Sequence, residues 1–574
     1  LEDRNFHHET KRTDGADYHF SSNCRQTVVK HTAKPDEQPS FNGFQFTPAA
    51  DRQLHCWVRS GEYHHAPEWC LNLPHPIEAS RGQEGSGDAY SPGWFEIPLA
   101  PGAAVELVAT AAIPPADPGA SSGVFSPRIR ALETAVSRAR LEPTDNFGRH
   151  LARATQAYLV RRDDTRSVIA GYPWFLDWGR DSLIAARGLI AAGMRSEVRE
   201  LLMTFGRFEK NGTLPNSIHG EDASNRDTSD APLWYGIVAE ELAAAEAGET
   251  EGSTPLYSTP VDASGRTVAD VLRSIACGYL AGTPNGIRVD AASGLVWSPS
   301  HFTWMDTNYP AGTPREGYPV EIQVLWIRLL QQLARLGAER WEGRGEAWGD
   351  LARRAEASFH QFFWLEECGW YADVLLAASG TPARTAPPSN ALRSNCLLVV
   401  ALGLNGHPDA PARARRLVAA AAPHLVVPGA LRSLAPLPVI PPLPIAGNHG
   451  GLLNDPNHPY WPRYEGDEDS RRKPAYHNGT AWTWTFPAFC EAIVEAYPND
   501  ERARAAARSY LGSVDHLLTH GCLGHLPEIT DGDAPHWPRG CDAQAWGITE
   551  VLRVWRKLAP PPPVAGPEPA PART

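Results

Sequence analysis

Two hydrophobic periodicities divide the chain. Up to about residue 111, apolar positions alternate in short runs, "ADYHF" (16–20), "QLHCWVRSGEYHH" (53–65) and "GWFEIPLAPGAAVELVATAAI" (93–113), broken by Gly, Pro and Asp. Period-two alternation between turn-forming residues predicts half-buried strands. From about residue 130 the spacing becomes helical. Twelve segments carry it: 145–162, opening at a capping Asp145, then 180–193, 195–208, 230–248, 267–282, 319–337, 344–364, 390–404, 410–425, 480–497, 500–521 and 541–558. Caps and breakers bound most of them.

These helices are of two kinds. "DLARRAEASF", "PARARRLVAAAA" and "DERARAAARSYL" have one solvated face, whereas "SNCLLVVALGL" and "TAWTWTFPAFCEAIV" are apolar nearly all round. Exposed and buried helices alternating in six pairs predict a mainly α fold, an (α/α)6 toroid with a cleft built by loops at one end. An α-solenoid is the alternative, but no fixed repeat period is visible. The expected layout is a β-rich domain over 1–111, a β-sandwich whole or partial. A linker over 112–129, the toroid over 130–557 and a disordered or extended Pro-rich tail over 558–574 follow. Residues 434–475 form a Pro/Asn/Asp-rich connection too long for a passive link, hence a candidate lid or site wall.

Composition narrows the partners. With 42% hydrophobic and 21% charged residues the chain is globular, and its net charge of -13 argues against a nucleic-acid partner. Neutral polymers such as sugars stay open. Nine cysteines, odd in number and without CxxC spacing, suit thiols in a reducing cytoplasm. No apolar run reaches membrane-spanning length and no signal peptide is seen. The chain opens "LEDRNFHHETKR" without Met, so its natural start is expected elsewhere. Oligomeric state is not set by the sequence. The 19 Trp cluster in loops, as Trp174 with Trp178, Trp297 with Trp304, Trp482 with Trp484, and Trp537 with Trp546. Indole faces stack on pyranose C–H faces while neighbouring polar groups take the hydroxyls, although several of these Trp also suit core anchors.

The candidate chemistry sits in those loops. In "WFLDWGRD" (174–181), Trp174 and Trp178 bracket Asp177, and Arg180 and Asp181 open a helix. Asp181 alone would read as a helix-end residue; with Arg180 it also suits a grip on vicinal hydroxyls. "LPNSIHGEDASNRDTSDAPLW" (214–234) offers Asn216 and Asp230, or is an ordinary turn-rich loop. "YHNGTAWTW" (476–484) brings Tyr476, His477, Trp482 and Trp484, and no second His stands at metal-ligand spacing. No metal or cofactor is expected: no Walker A loop, Rossmann fingerprint or HExxH is present.

Two carboxylates stand out. Asp306 follows Trp304 and Met305 in "HFTWMDTNYPAGTPREGYPVEIQ" (301–323), a stretch that also holds Arg315, Glu321 and Gln323 as substrate-contacting or supporting candidates. Glu528 precedes the last helix in "LPEITDGDAPHWPRGCDAQAW" (526–546). Alternate loops of a toroid converge on one face, so the two can meet. Glycoside hydrolysis needs such a pair, an acid beside the leaving oxygen and a base or nucleophile across the ring. An aromatic setting raises the acid's pKa.

Together, "PWFLDWGRDSLIAARGLI", "GTLPN", "SDAPLWYGI", "TWMDTNYPAGTPREGYPVEIQVLW", "RSNCLLVV", "RRKPAYHNGTAWTW" and "LPEITDGD…RGCDAQAW" resemble the glucosidase part of glycogen debranching enzymes, the amylo-α-1,6-glucosidase family. They span about 140–556 in family order, and "HHETKR" and "EWCLNLPHPIEASRGQEGSGDAYSPGWFEI" resemble the β-rich N-terminal domain of its bacterial and archaeal forms. The resemblance implies hydrolysis of α-1,6-linked glucose stubs of an α-glucan, with inversion. Asp306 falls on the family's general acid and Glu528 on its base, and Arg180 and Asp181 would hold the non-reducing glucose. Thr307, where a small Ala is expected, and the Pro-rich loop before Arg471 depart from the pattern and bear on chain-length preference. Another α-glycosidase, a disaccharide phosphorylase on the same toroid and a non-catalytic glucan-binding protein are the competing readings.

Overall fold

The structure is a computed structural model, which describes residues 1–2, 9–29, 41–50, 52–58, 61–80, 84–111, 125–162, 164–218, 220, 222–247, 255–308, 312–337 and 346–559. The chain divides into two compact units, Leu1–Ala131 and Leu132–Thr574. Most of the expected linker and nearly all of the expected tail lie outside the described residues.

In the first unit, β1 (Cys24–Val29), β2 (Phe41–Ala49), β3 (Arg52–Val58) and β6 (Leu107–Thr110) form an antiparallel sheet in the order β1-β2-β3-β6. Strands β4 (Glu62–Pro74) and β5 (Ser86–Glu96) form a separate antiparallel ribbon. Phe44 and Phe46 of the sheet meet Tyr63 and Tyr90 of the ribbon in a small aromatic core. One expectation fails here: "ADYHF" lies in the helix Asp14–Asn23, not in a strand. Five alternating residues are too few to fix a period. Thr13 caps the helix by accepting from Ala16 N, and Asp14 and Asp17 suit its first turn.

The second unit is the toroid. Its helices are α1 (Asn146–Thr155), α2 (Gly179–Ala191), α3 (Arg195–Phe208), α4 (Ala231–Glu246), α5 (Val268–Ala281) and α6 (Val320–Arg335). Then come α7 (Trp348–Phe362), α8 (Leu397–Ala401), α9 (Ala410–Leu425), α10 (Phe486–Ala496), α11 (Glu501–Gly512) and α12 (Ala545–Lys557). The even-numbered helices pack in sequence, α2 on α4, α4 on α6, onward to α12 and back to α2, which closes an inner ring. The odd-numbered helices lie outside it. Composition explains the division: α2 is buried without interruption from Gly179 to Leu189, whereas α11 buries only Ala507 and Leu511. The closing contact needs Gly188, where a Cβ would lie 2.2 Å from the Thr549 carbonyl oxygen of α12.

Two inner elements differ from the expected helices. Residues 390–404 yield only a 3-10 turn, Ser394–Cys396, and the short α8, because buried Arg393 and Asn395 are engaged in side-chain hydrogen bonds. Ahead of α10, Ala481–Trp482 is a strand. It is the central member, β9, of an antiparallel sheet with β7 (Val426–Val427), β8 (Ala430–Arg432), β10 (Ile529–Thr530) and β11 (Pro538–Arg539). Trp482 is thereby paired with Ile529, next to Glu528. Deeper along the inner helices, Arg187, Glu241, Glu550, Arg553 and Glu491 form a chain of ion pairs, buried except toward Glu241 and Arg553. Among the described residues no helix is long and apolar enough to cross a membrane.

Candidate active site

Each inner helix is separated from the next by one outer helix, so the inner helices run the same way and their N-termini share one end of the ring. Segments leading into α2, α6, α10 and α12 meet there. They enclose a cavity of about 130 Å³ lined by Phe175, Trp178, Arg180, Asp181, Trp304, Asp306, Tyr476, Trp482, Glu528, Gln544 and Trp546. This is well below the few hundred Å³ of a site for a drug-sized ligand and suits one sugar ring. A larger depression between α7 and 406–413 holds a single carboxylate, Glu356, beside Arg353 and Arg413.

Arg180 organises one wall. Its Nε donates to Asp230 Oδ2 at 2.7 Å and its Nη1 to Asp306 Oδ2 at 3.2 Å. Asp230 also accepts from Thr228 Oγ1 at 2.7 Å, so this residue at the start of α4 makes no side-chain cap bond. Opposite, the Tyr476 hydroxyl donates to Glu528 Oε1 at 2.5 Å and Cys541 N to Glu528 Oε2 at 3.1 Å. Gln544 Nε2 donates to Asp181 Oδ1 at 3.4 Å, which ties the first turn of α2 to the start of α12. Gln544 Oε1 and Trp546 Nε1 are buried with no protein partner. Such groups are what a ligand's hydroxyls would satisfy.

Burial drives the electrostatics. It raises the Asp306 carboxyl above its usual range, against the pull of Arg180. It raises Glu528 to about 7, with the Tyr476 hydroxyl and Cys541 N–H opposing and the Asp306 charge adding. Asp181 also reaches about 7: burial lifts it, Arg180 opposes, and Asp306 and Glu528 lift it further. Three carboxyls around one cavity therefore titrate as a set.

A sequence model of the family described as Amylo-alpha-1,6-glucosidase matches residues 153–439 and 451–553. The chain belongs to the amylo-α-1,6-glucosidase family. A model described as Glycogen debranching enzyme N terminal matches residues 1–106. The chain is thus a glycoside hydrolase acting on α-1,6-glucan linkages, and its substrate is a glucan or oligosaccharide. Solved structures similar to it include a glycosidase in complex with glucose (13% identity, 75% of this chain and 98% of that one, TM-score 0.46). Others are neutral trehalase from Saccharomyces cerevisiae (11%, 69% and 74%, 0.43) and a mannosylglycerate hydrolase from Thermus thermophilus (14%, 71% and 99%, 0.43).

Of the sequence candidates in this amylo-α-1,6-glucosidase, Trp178, Arg180, Asp181, Trp304, Asp306, Tyr476, Trp482 and Glu528 line the cavity. The others lie behind or beside it. Trp174 packs on Phe175. Asp177 is paired with Arg162 at 2.7 Å, and the Asn216 carbonyl accepts from Gly179 N at 2.9 Å. Asp230 holds Arg180 from below the wall. Arg315 and Glu321 pair with each other at 2.5 Å, and Gln323 bonds both main-chain groups of Val296. His477 bonds Thr307 Oγ1 at 2.7 Å and stacks on Trp482, while Trp484 stacks on Trp546. The sequence pattern alone does not single out Phe175, Gln544 or Asn395, and offers Trp546 only as one of the clustered loop Trp. Each lies inside a segment quoted for the family resemblance, which was the available signal.

Proposed function

We propose that the enzyme releases single glucose units from α-1,6-linked stubs of a glycogen-like glucan, with inversion at the anomeric carbon. The observation that carries this is a one-ring cavity walled by Trp178, Trp304 and Trp482 and bearing both Asp306 and Glu528. Asp306 protonates the glycosidic oxygen as the C1–O bond breaks. Glu528 takes a proton from a water that attacks C1 from the opposite face, and the product is β-glucose. Arg180, itself held by Asp230, orients the acid. Both oxygens of Glu528 accept hydrogen bonds, as suits the ionised form a base needs. The nine cysteines are free thiols, in keeping with a reducing cytoplasm, where cell fractionation would look for the enzyme.

One observation favours exchanged roles. Glu528 is raised to about 7, and Asp306 has Arg180 beside it to favour its ionised form, so of the two carboxyls Glu528 is the easier to protonate. α-Glucosyl fluoride decides between them, since fluoride departs without a proton from the enzyme. Under the principal reading Asp306→Asn loses α-1,6 substrates but keeps much of its fluoride hydrolysis, and Glu528→Gln loses both. The reverse pattern exchanges the roles. Proton NMR showing α-glucose as the first product would sink inversion altogether.

A further inference from the structure

The acid loop 303–306 belongs to no helix or strand, yet a catalytic carboxyl has to be held within about 0.5 Å. Two side chains grip this loop from behind. Arg315 Nη1 donates to Thr303 Oγ1 at 3.0 Å, and Thr303 Oγ1 accepts from Met305 N at 3.2 Å. Asn395, fully buried in the turn before α8, holds the other side. Its Oδ1 accepts from the Trp304 indole Nε1 at 2.7 Å, and its Nδ2 donates to Asp373 Oδ1 at 2.8 Å and lies 3.5 Å from Met305 Sδ. An indole only donates and a carboxylate only accepts, so one orientation of the amide satisfies both. Asp373 is itself fixed by Arg315 through bonds of 2.8 and 2.9 Å, with Arg393 Nε 3.3 Å away.

Trp304 has little freedom left. Its ring meets Trp482, Trp484 and His477 edge to face, with centroids at 5.0, 5.1 and 5.5 Å. The indole is both a wall of the sugar cavity and the residue two before Asp306. We infer that Asn395 is a positioning residue for the reaction: it couples the Asp373–Arg315 pair to Trp304 and so sets where Asp306 stands against the leaving oxygen. This gives the apolar "RSNCLLVV" segment a role that its sequence does not announce, and it rests on Asp306 acting as the acid.

Asn395→Leu and Asn395→Asp test it. The charged groups facing the position are Asp373, Arg315, Arg393 and Glu321. Asn395→Leu breaks the link at every pH, and kcat on an α-1,6-linked oligosaccharide should fall on the order of 10²-fold, the usual cost of misplacement near 1 Å. KM should change little. Hydrolysis of α-glucosyl fluoride should fall far less. Asn395→Asp can mimic the amide only when protonated, donating O–H to Asp373 while its other oxygen accepts from Trp304. Its activity relative to the parent should therefore climb as pH is lowered. A merely structural role would depress both substrates alike and leave the shape of the pH profile unchanged. That result, or a kcat within twofold of the parent for Asn395→Leu, overturns the inference. If Asn395→Leu does not fold, the pH-dependent ratio of Asn395→Asp still decides. Failure of the underlying function would appear first in the parent enzyme and in Asp306→Asn, and would take this inference with it.

Discussion

Tyr476→Phe is the sharpest single perturbation of the site. It removes one hydroxyl, 2.5 Å from Glu528 Oε1, and keeps the ring that packs on Tyr464, His477 and Trp482. That hydrogen bond stabilises the ionised carboxylate. Bonds to charged groups contribute about 1.5–3 kcal/mol, and 1.36 kcal/mol corresponds to one pKa unit. Glu528, already raised to about 7 by burial, should therefore rise by roughly one to two units more. A base works only when deprotonated, so activity below its pKa is lost. The acid limb of the kcat/KM profile should move up by the same roughly one to two units, and at pH 6 the variant should be about 10–100-fold slower than the parent. Near the alkaline side of the optimum the deficit should be small. Initial rates of glucose release between pH 5 and 9 measure this. A limb that stays in place or moves down would refute the argument, and an alkaline limb moving up instead would identify Glu528 as the acid.

Other parts of the molecule give separate tests. Arg180→Met leaves the buried Asp230 carboxyl without its guanidinium partner, which should cost about 3–5 kcal/mol in chemical denaturation and abolish glucose release. A stable, active variant would show that the pair does not hold the wall. Glu491 is a pH test of the ring itself. Burial alone would raise its carboxyl, but Arg553 at 2.5 Å and Lys557 at 3.0 Å bring it from 4.5 to about 2. A depressed carboxyl stabilises the fold above its unfolded pKa and loses that contribution as pH falls through its folded pKa. About 3 kcal/mol should therefore be lost between pH 4.5 and 2. Glu491→Gln should flatten the acid slope of stability against pH, and an unchanged slope would show that other groups set it.

The ring was readable because its signal is repeated: apolar inner helices and Arg/Ala-rich outer ones alternate, and α2 and α11 show the contrast in full. A single short run carries no such redundancy, and "ADYHF" proved helical once Thr13 supplied a cap. The site was legible to the extent that its loops are. Asp306 and Glu528 sit in segments dense with aromatic and turn residues, and both face the cavity. The sequence does not reveal which loop charges are spent on one another. Asp177, Asp230, Arg315 and Glu321 have the composition of sugar-binding residues, yet none of the four lines the cavity and each is paired with a charged partner. Pairing is settled by distances of a few ångströms between segments remote in sequence, such as Arg180 and Asp306, which periodicity does not encode.

That division has a physical logic. Removing one partner of a buried ion pair costs several kcal/mol, whereas the intact pair adds little net stability over an apolar substitute. Asp373, Arg315, Glu321 and Asp230 are therefore poorly explained as stabilisers of the fold. What they do provide is direction. Arg315 reaches Thr303, Asn395 carries Asp373 to Trp304, and Asp230 aims Arg180 at Asp306, so the pairings end on Thr303, Trp304 and Asp306, three residues of the loop proposed to carry the acid. A loop without secondary structure is then braced from several sides, as the proposed proton transfer from Asp306 to a leaving oxygen would require. The expected signature is that changes at these charges lower kcat on α-1,6 links more than they lower affinity.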